Sequence, residues 1–397
     1  MGHGLIEDAL LPVRERFWKR FSEQGMPKPS QEAFQYLPFS KIVPPTEPAA
    51  EAPQQMPHFL PGCAGRIVFS NGYFSPEHSI LPKGCILLPL EEAMKSYGLV
   101  LQNRFAKSLK EESDPLAALN GAFHGRGAFL YVPPGLVIEQ PIQIISLFSS
   151  ANWMGQRLQL FLGKGAELKL VQTFAGKGSA VEMLDAVLDA GAKLSVQDCS
   201  ELQEEAVFFR NLRASLKKDA RLSSFSFSEG SSLYRRSLSA SLLEEGAEVH
   251  LKGLDHLTGS KQAHTHVLIE HHAPHCLSRQ HFKKALQGKA RSSFEGKIYV
   301  QPQAQKTEAY QLNQNLILSE EAAAHAKPNL EIFADDVKAS HGATFSQLSE
   351  EEIFYFQARG IPPADAKKLL FHGFCSELLE EISFSPLREA LLARLVR

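Results

Sequence analysis

Gly165-Ala-Glu-Leu-Lys-Leu170, Gly191-Ala-Lys-Leu-Ser-Val196, Asp219-Ala-Arg-Leu-Ser-Ser224 and Gly246-Ala-Glu-Val-His-Leu251 repeat one pattern: a turn residue, Ala, a polar residue and an apolar residue. Ala166, Ala192, Ala220 and Ala247 lie 26, 28 and 27 residues apart. A period of about 20–50 residues marks a repeat array, and short strands with a turn in every period favour a β-helix over helical repeats. Hairpins of a sandwich would give similar matches by chance. Weaker echoes follow at Lys289-Ala290 and at Ala322-Ala323-Ala324. The fold class expected is mainly β, a right-handed parallel β-helix (a β-solenoid) flanked by N-terminal and C-terminal helical regions.

Outward from the repeats, the texture changes twice. Residues 124–345 form the expected β-helix core, because short alternating strands separated by Gly, Asp, Asn or Ser begin near Gly127. Residues 1–123 read as a helical and Pro-rich region. Leu10, Val13, Phe17 and Phe21 have helical spacing; nine of the 23 prolines fall between Met26 and Pro61; a second helical zone runs from about Pro89 to Phe123, with Asp114-Pro115 as a start signal. Residues 346–397 read as a C-terminal helical region. Ser349 and Glu352 have capping-box spacing, Gly360 and Pro362-Pro363 give a stop and a restart, and Ala366, Leu370, Phe374, Leu378 and Ile382 make a stripe of four-residue period, widened by Leu369. Such helices either cap a solenoid's core or dock a partner.

The chain has 397 residues, 44% hydrophobic and 22% charged, with a formal net charge of −2. That balance provides no long-range field for nucleic acid or an anionic membrane, and Lys217-Lys218 and Lys283-Lys284 read as solvated surface. No apolar run approaches the roughly 20 residues of a membrane span, and the expected location is cytoplasmic. Cys63, Cys85, Cys199, Cys276 and Cys375 are odd in number and widely separated, which suits buried packing better than disulfides or a zinc ribbon.

The chemical motifs are few. Neither Gly-x-x-x-x-Gly-Lys-Ser/Thr nor Gly-x-Ser-x-Gly occurs, so the chain is expected to have no ATP site of its own and no serine-hydrolase site. His250, His256, His264, His266, His271, His272, His275 and His281 are dense enough to invite a metal reading, yet none has finger or His-Glu-x-x-His spacing. Asp335-Asp336 is the obvious carboxylate pair for a polysaccharide-cleaving β-helix, but adjacent strand residues face opposite ways. In Asn329-Leu-Glu-Ile-Phe-Ala-Asp-Asp-Val-Lys-Ala-Ser-His-Gly-Ala-Thr-Phe345, alternation puts Val337, Ala339 and His341 on one apolar, inward face. An inward imidazole is either a satisfied core histidine or a ligand.

Phe294-Glu-Gly-Lys-Ile-Tyr-Val300, Gln305-Lys-Thr-Glu-Ala309, Asn315-Leu-Ile-Leu-Ser319, the run Glu331–Thr344 and Phe354-Tyr-Phe-Gln-Ala-Arg-Gly-Ile361 resemble the SufB/SufD family, more closely its SufD branch. The resemblance is strongest over the last 110 or so residues. It implies a non-enzymatic scaffold of the SUF iron–sulfur assembly complex, paired with a SufB-type subunit and recruiting a SufC-type ATPase through C-terminal helices. It further implies a transient iron–sulfur cluster at the shared interface, with His341 as this chain's candidate ligand. Many family members carry Cys where this chain has Ala339. The segment expected to hold the ATPase includes Arg359, Gly360, Ile361, Ala366, Leu369, Leu370, Phe374 and Leu378. A homodimer is expected when the partner is missing. The alternatives from other classes are a carbohydrate-active β-helix enzyme and a self-associating structural solenoid.

Overall fold

The residue before each repeated Ala takes a left-handed backbone: φ is 66° at Gly165, 68° at Gly191, 56° at Asp219 and 73° at Gly246. Gly and Asp tolerate that region, and the turn lets the chain reverse between two sheets. Each of these residues donates its N–H to a carbonyl of the following turn, Gly165 to Ala190, Gly191 to Lys218, Asp219 to Glu245 and Gly246 to Pro274. The stack continues through His275 and Lys306, both at φ 58°. Its small inward residues are therefore Ala166, Ala192, Ala220, Ala247, Cys276 and Thr307, all fully or nearly fully buried. Lys289-Ala290 lies in the opposite series of turns, between strands Leu277–Leu286 and Arg291–Val300. It is not a further member of the stack.

The computed structural model describes residues 5–45, 47–50 and 59–395. Part of the Pro-rich segment, residues 51–58, lies outside the described residues. One sheet runs in the order β2 (Tyr73–Ile80), β1 (Gly65–Ser70), β5 (Ile142–Phe148), β7 (Glu167–Gly176), β9 (Lys193–Leu202), β11 (Arg221–Ser228), β13 (Glu248–Leu257), β15 (Leu277–Leu286), β17 (Glu308–Ile317) and β19 (Lys338–Ser346). The other runs in the order β3 (Ile86–Pro89), β4 (Ala128–Val132), β6 (Met154–Leu162), β8 (Ser179–Leu188), β10 (Val207–Leu216), β12 (Leu233–Leu242), β14 (Gln262–His271), β16 (Arg291–Val300) and β18 (Ala323–Ile332). From β4 onward all pairings are parallel and in register, which makes a solenoid of two facing sheets.

Three of these strands, β1 to β3, fall inside the segment read from sequence as helical and Pro-rich. β1 joins β5 in parallel, whereas β2 and β3 pair antiparallel with β1 and β4. The signal was present in Asn71-Gly72, a dipeptide suited to a two-residue hairpin turn, with φ of 49° and 88°. Helices α1 (Leu11–Gln24), α2 (Leu90–Ser96), α3 (Gly98–Glu111) and α4 (Pro115–Phe123) cover the outer face of the second sheet, as their apolar spacing predicts. Asp114 caps α4 by accepting from Leu116 N at 2.8 Å. Beyond α1 an irregular arm continues along that face, with Phe34 under the Arg235 guanidinium and Tyr36 stacked on His325 at 4.5 Å.

The lumen is apolar along most of its length, with Leu168, Leu194, Leu212, Val249 and Val267 in one cluster. Each such side chain contributes about 1.5–3 kcal/mol by leaving water. Charged groups are buried among them. Arg210 pairs with Asp198 at 2.8 Å, and Arg236 with Asp255 at 2.8 Å, with Lys284 3.5 Å from the same carboxylate. Lys283 and Lys284 are thus not solvated: alternation sends Lys284 into the lumen and Lys283 under the C-terminal helices, at 0% and 2% exposure. The histidines of residues 250–281 are dispersed. His264 and His266 lie beneath the N-terminal arm, His271 faces the lumen and bonds Ser278 Oγ at 2.9 Å, and His256 packs on Phe371. Burial pushes His264 down to about 3 and His266 and His271 down to about 4, so all three are neutral imidazoles.

Two outcomes follow from this burial. Asp255→Ala leaves Arg236 and Lys284 without their carboxylate and lowers the unfolding free energy by about 3–5 kcal/mol in a urea titration. A histidine whose folded pKa sits below the unfolded 6.5 is protonated first in the unfolded chain, so its contribution is lost as pH falls from about 6.5 toward the folded value. His264→Asn therefore makes the acid-side fall of stability shallower than in the wild type, by about 1.4 kcal/mol per pH unit within that window.

Candidate functional site

The N-terminal end of the solenoid is closed by antiparallel strands, but β18 and β19 have no further neighbour among the described residues. Both sheets therefore end in free strand edges, and the rung they form is open. Its inward residues on β19, Ala339, His341, Ala343 and Phe345, continue columns that are buried everywhere else. The register carries one column through Leu170, Val196, Ser224, Leu251, Gln280 and Gln311 to His341. Val196 and Leu251 are 0% and 1% exposed, and Gln311 is 3% exposed. His341, on the same side, is exposed because no rung covers it. The inward facing expected from sequence is correct, whereas burial is not: His341 is neither packed nor satisfied as a core histidine.

An apolar rim surrounds it. Val337, Ala339, Leu330 and Ile332 are half-buried against Ile298 and Val300, while Phe333 and Phe345 are 57% and 53% exposed. Phe333 lies against Tyr299 with ring centroids 5.3 Å apart. Asp335 and Asp336 are both exposed in the turn that precedes β19; Asp336 faces Lys306 at 3.8 Å and its carbonyl accepts the Lys306 N–H. They do not converge on a common point with His341. No group of three or more His, Cys, Asp or Glu side chains is placed to hold a metal ion among the described residues. Cys199, Cys276 and Cys375 are buried and Cys63 and Cys85 half-buried, all unpaired. Burial pushes the Cys63 and Cys276 thiols up to about 11, and those of Cys199 and Cys375 to about 12, away from thiolate chemistry.

A second surface is formed by α5 (Glu350–Gln357), α6 (Pro363–Leu379) and α7 (Ser385–Leu395). Ser349 caps α5 by accepting from Glu352 N, as its spacing predicts. The stripe of four-residue period faces the first sheet: Ala366, Leu378 and Ile382 are at most 1% exposed, and Phe374 packs beside Cys375 and Leu379. Lys283 fastens this helix, donating to the Phe374 carbonyl at 2.9 Å and lying 4.6 Å over its ring. Of the residues expected to meet a partner, Ala366, Phe374 and Leu378 are thus used inside the chain. Leu369 is 49% exposed, Leu370 and Ile361 are half-buried, and Arg359 and Gly360 are exposed in the turn between α5 and α6. Phe354 and Tyr355, 70% and 54% exposed, complete this patch, with Arg359 3.5 Å over the Tyr355 ring. Sequence spacing did not single them out, because on a short helix an apolar residue that faces solvent has the same signature as one that faces the core.

A crevice of about 390 Å³ lined by Lys41, Glu204, Glu205, Ser232, Ser260 and Lys261 lies at the turns, far in sequence from both surfaces. No helix of the described residues is long and apolar enough to cross a membrane.

The family model for the SUF system FeS cluster assembly SufBD core domain matches residues 147–374, and that for the SufBD protein N-terminal region matches residues 65–144. The second match covers β1 to β4 and runs into β5; of these, β1 to β3 lie in the segment expected from sequence to be helical and Pro-rich. An iron–sulfur cluster assembly SufBD family protein of Synechocystis is 27% identical over 82% of this chain and 76% of its own length. The iron–sulfur cluster assembly protein SufD of Escherichia coli is 36% identical over 45% of this chain and 43% of its own. The chloroplastic protein ABCI7 of Arabidopsis thaliana is 29% identical over 73% and 64%. With a core-domain match spanning more than half of its residues, the chain belongs to the SufBD family of the SUF iron–sulfur cluster assembly system.

Proposed function

We propose that this chain is a non-catalytic, SufD-like scaffold whose open last rung pairs with a SufB-type subunit. The observation that carries the reading is that both sheets end in free edges around an exposed His341, inside an apolar rim. A second β-helix presenting its own last rung would extend both sheets and cover Phe333 and Phe345. Pairing of that kind would also exclude water from His341. A neutral imidazole binds cluster iron, and at a shared seam the other ligands come from the partner, since Ala339 supplies no thiolate on this strand face. The cluster is the cargo of the assembly, held transiently. Five unpaired cysteines suit a reducing compartment such as the cytoplasm.

The patch made by Phe354, Tyr355, Arg359 and Leu369 is the proposed seat of a SufC-type ATPase. It combines exposed aromatic and aliphatic surface with an arginine, the residue types that dominate interface energetics. ATP-driven dimerisation of two such ATPases would pull on α5 and α6 and, because α6 is fastened to β15 through Lys283, on the rungs near the seam. Family membership displaces the carbohydrate-active alternative; a self-associating solenoid is what the same open end would give with no partner present.

Co-expression with SufB-type and SufC-type partners followed by anaerobic purification tests these assignments. His341→Ala still assembles the complex but retains less than half of the iron and sulfide; unchanged content removes the ligand role. Tyr355→Ala combined with Leu369→Asp weakens ATPase binding about tenfold or more while leaving the melting temperature near that of the wild type. Charge placed at Phe374 instead loosens the helical end, because that half-buried ring packs against the cluster under α6 and beneath the Lys283 ammonium.

A further inference from the structure

Gln311 sits directly before His341 in the inward column, and it is 97% buried by its 3% exposure. Its amide lies across the lumen against the opposite sheet: a Cβ added at Gly296 would fall 2.1 Å from Gln311 Nε2. That nitrogen donates to Gln280 Oε1 at 2.9 Å, back along the column. An amide's nitrogen and oxygen diverge from one carbon, so Gln311 Oε1 is turned away from Gln280. This oxygen is buried and accepts no hydrogen bond among the described residues. A buried acceptor without a donor is unfavourable. The next side chain in the column is His341, on a strand about 4.8 Å away.

We propose that Gln311 is a positioning residue for His341: once a partner covers the last rung, one ring N–H of His341 donates to Gln311 Oε1. The lone pair of the other ring nitrogen then faces the seam. This inference rests on the pairing proposed above and deepens it. A neutral imidazole carries its proton on either nitrogen, and only the bare nitrogen can bind a metal; a carbonyl acceptor behind the ring selects which one stays bare. Water serves the ring donor while the rung is open, and Gln311 replaces it when the rung is covered. Gly296 belongs to the same arrangement, because any side chain there would push the amide out of the column.

The test is magic-angle-spinning NMR of the sedimented complex, with ¹⁵N-histidine in this chain alone and the His341 signals assigned by their loss in His341→Asn. The wild type should show one neutral tautomer at His341, and Gln311→Leu should show both. Both tautomers in the wild type, or a single one in Gln311→Leu, would overturn the proposal. Should Gln311→Leu fail to fold, Gln311→Glu keeps an acceptor and should retain one tautomer with its N–H resonance moved downfield by the charged oxygen; an unmoved resonance sinks the idea equally. Failure of the complex to form removes the functional reading and this inference together. An intact complex with mixed tautomers removes this inference alone, and a cluster undiminished in His341→Asn removes the ligand role while leaving the hydrogen bond standing.

Discussion

In a parallel solenoid the backbone donors and acceptors of one rung are satisfied only by the next, so the fold has no internal way to end. The two ends of the solenoid answer that constraint differently. At the N-terminal end, β2 and β3 run antiparallel to their neighbours and stop the ladders, and α1 to α4 cover one sheet. At the C-terminal end the ladders are left open, and the helices that could have served as a lid lie instead against the side of the first sheet, held by Lys283 and by the Lys252–Glu381 ion pair. An end left open beside helices able to close it is what the proposed pairing with another chain requires. His341 acquires its interest from this location more than from its own chemistry.

The interior departs from a uniform apolar core, and its charges are arranged with regard to the open end. Arg210, Arg236 and Lys284 lie in the middle rungs, each facing a carboxylate from the other strands of the lumen. On β17, the strand before the last in the first sheet, the buried inward polar side chains are neutral amides, Gln311, Asn313 and Asn315, of which Asn315 bonds the Thr344 carbonyl of the final strand at 3.0 Å. Unpaired ions near an uncovered rung would be hydrated in the free chain and stranded in the paired one. Amides are cheaper to dehydrate and can pass hydrogen bonds from one rung to the next.

Much of this was legible in the sequence. The Gly/Asp-Ala repeat reports a backbone requirement, a left-handed turn followed by a small inward residue, and therefore survives as a pattern. It fades after Ala247 because His275 and Lys306 occupy the left-handed position and Cys276 and Thr307 the small one, substitutions the geometry accepts but pattern matching does not. β1 to β3 were hidden by proline-rich neighbours despite Asn71-Gly72. Lys283-Lys284 looked like surface because charge is a poor guide to burial where a partner carboxylate comes from the neighbouring strand, as Asp255 does for Lys284, or from a helix laid over the sheet, as Glu377 does for Lys283. The inward side of His341 followed from alternation alone; that it is nonetheless exposed depends on which rung is last, which is a property of the whole ladder. The C-terminal stripe was identified correctly as an apolar face, and the choice between lid, side brace and docking surface could be made only once the position of the sheet was known.

The claim on which the rest depends is that the β18–β19 rung is an unfinished ladder completed by another subunit. Backbone hydrogen exchange over Lys338–Ser346 measures this directly, because amides on a free edge exchange rapidly and those in a ladder do not. The account predicts fast exchange at alternate amides of β19 in the isolated chain at concentrations too low for self-association, and strong protection of the same amides when the SufB-type partner is added. Exchange along β19 that is equally fast with the complex formed would contradict it.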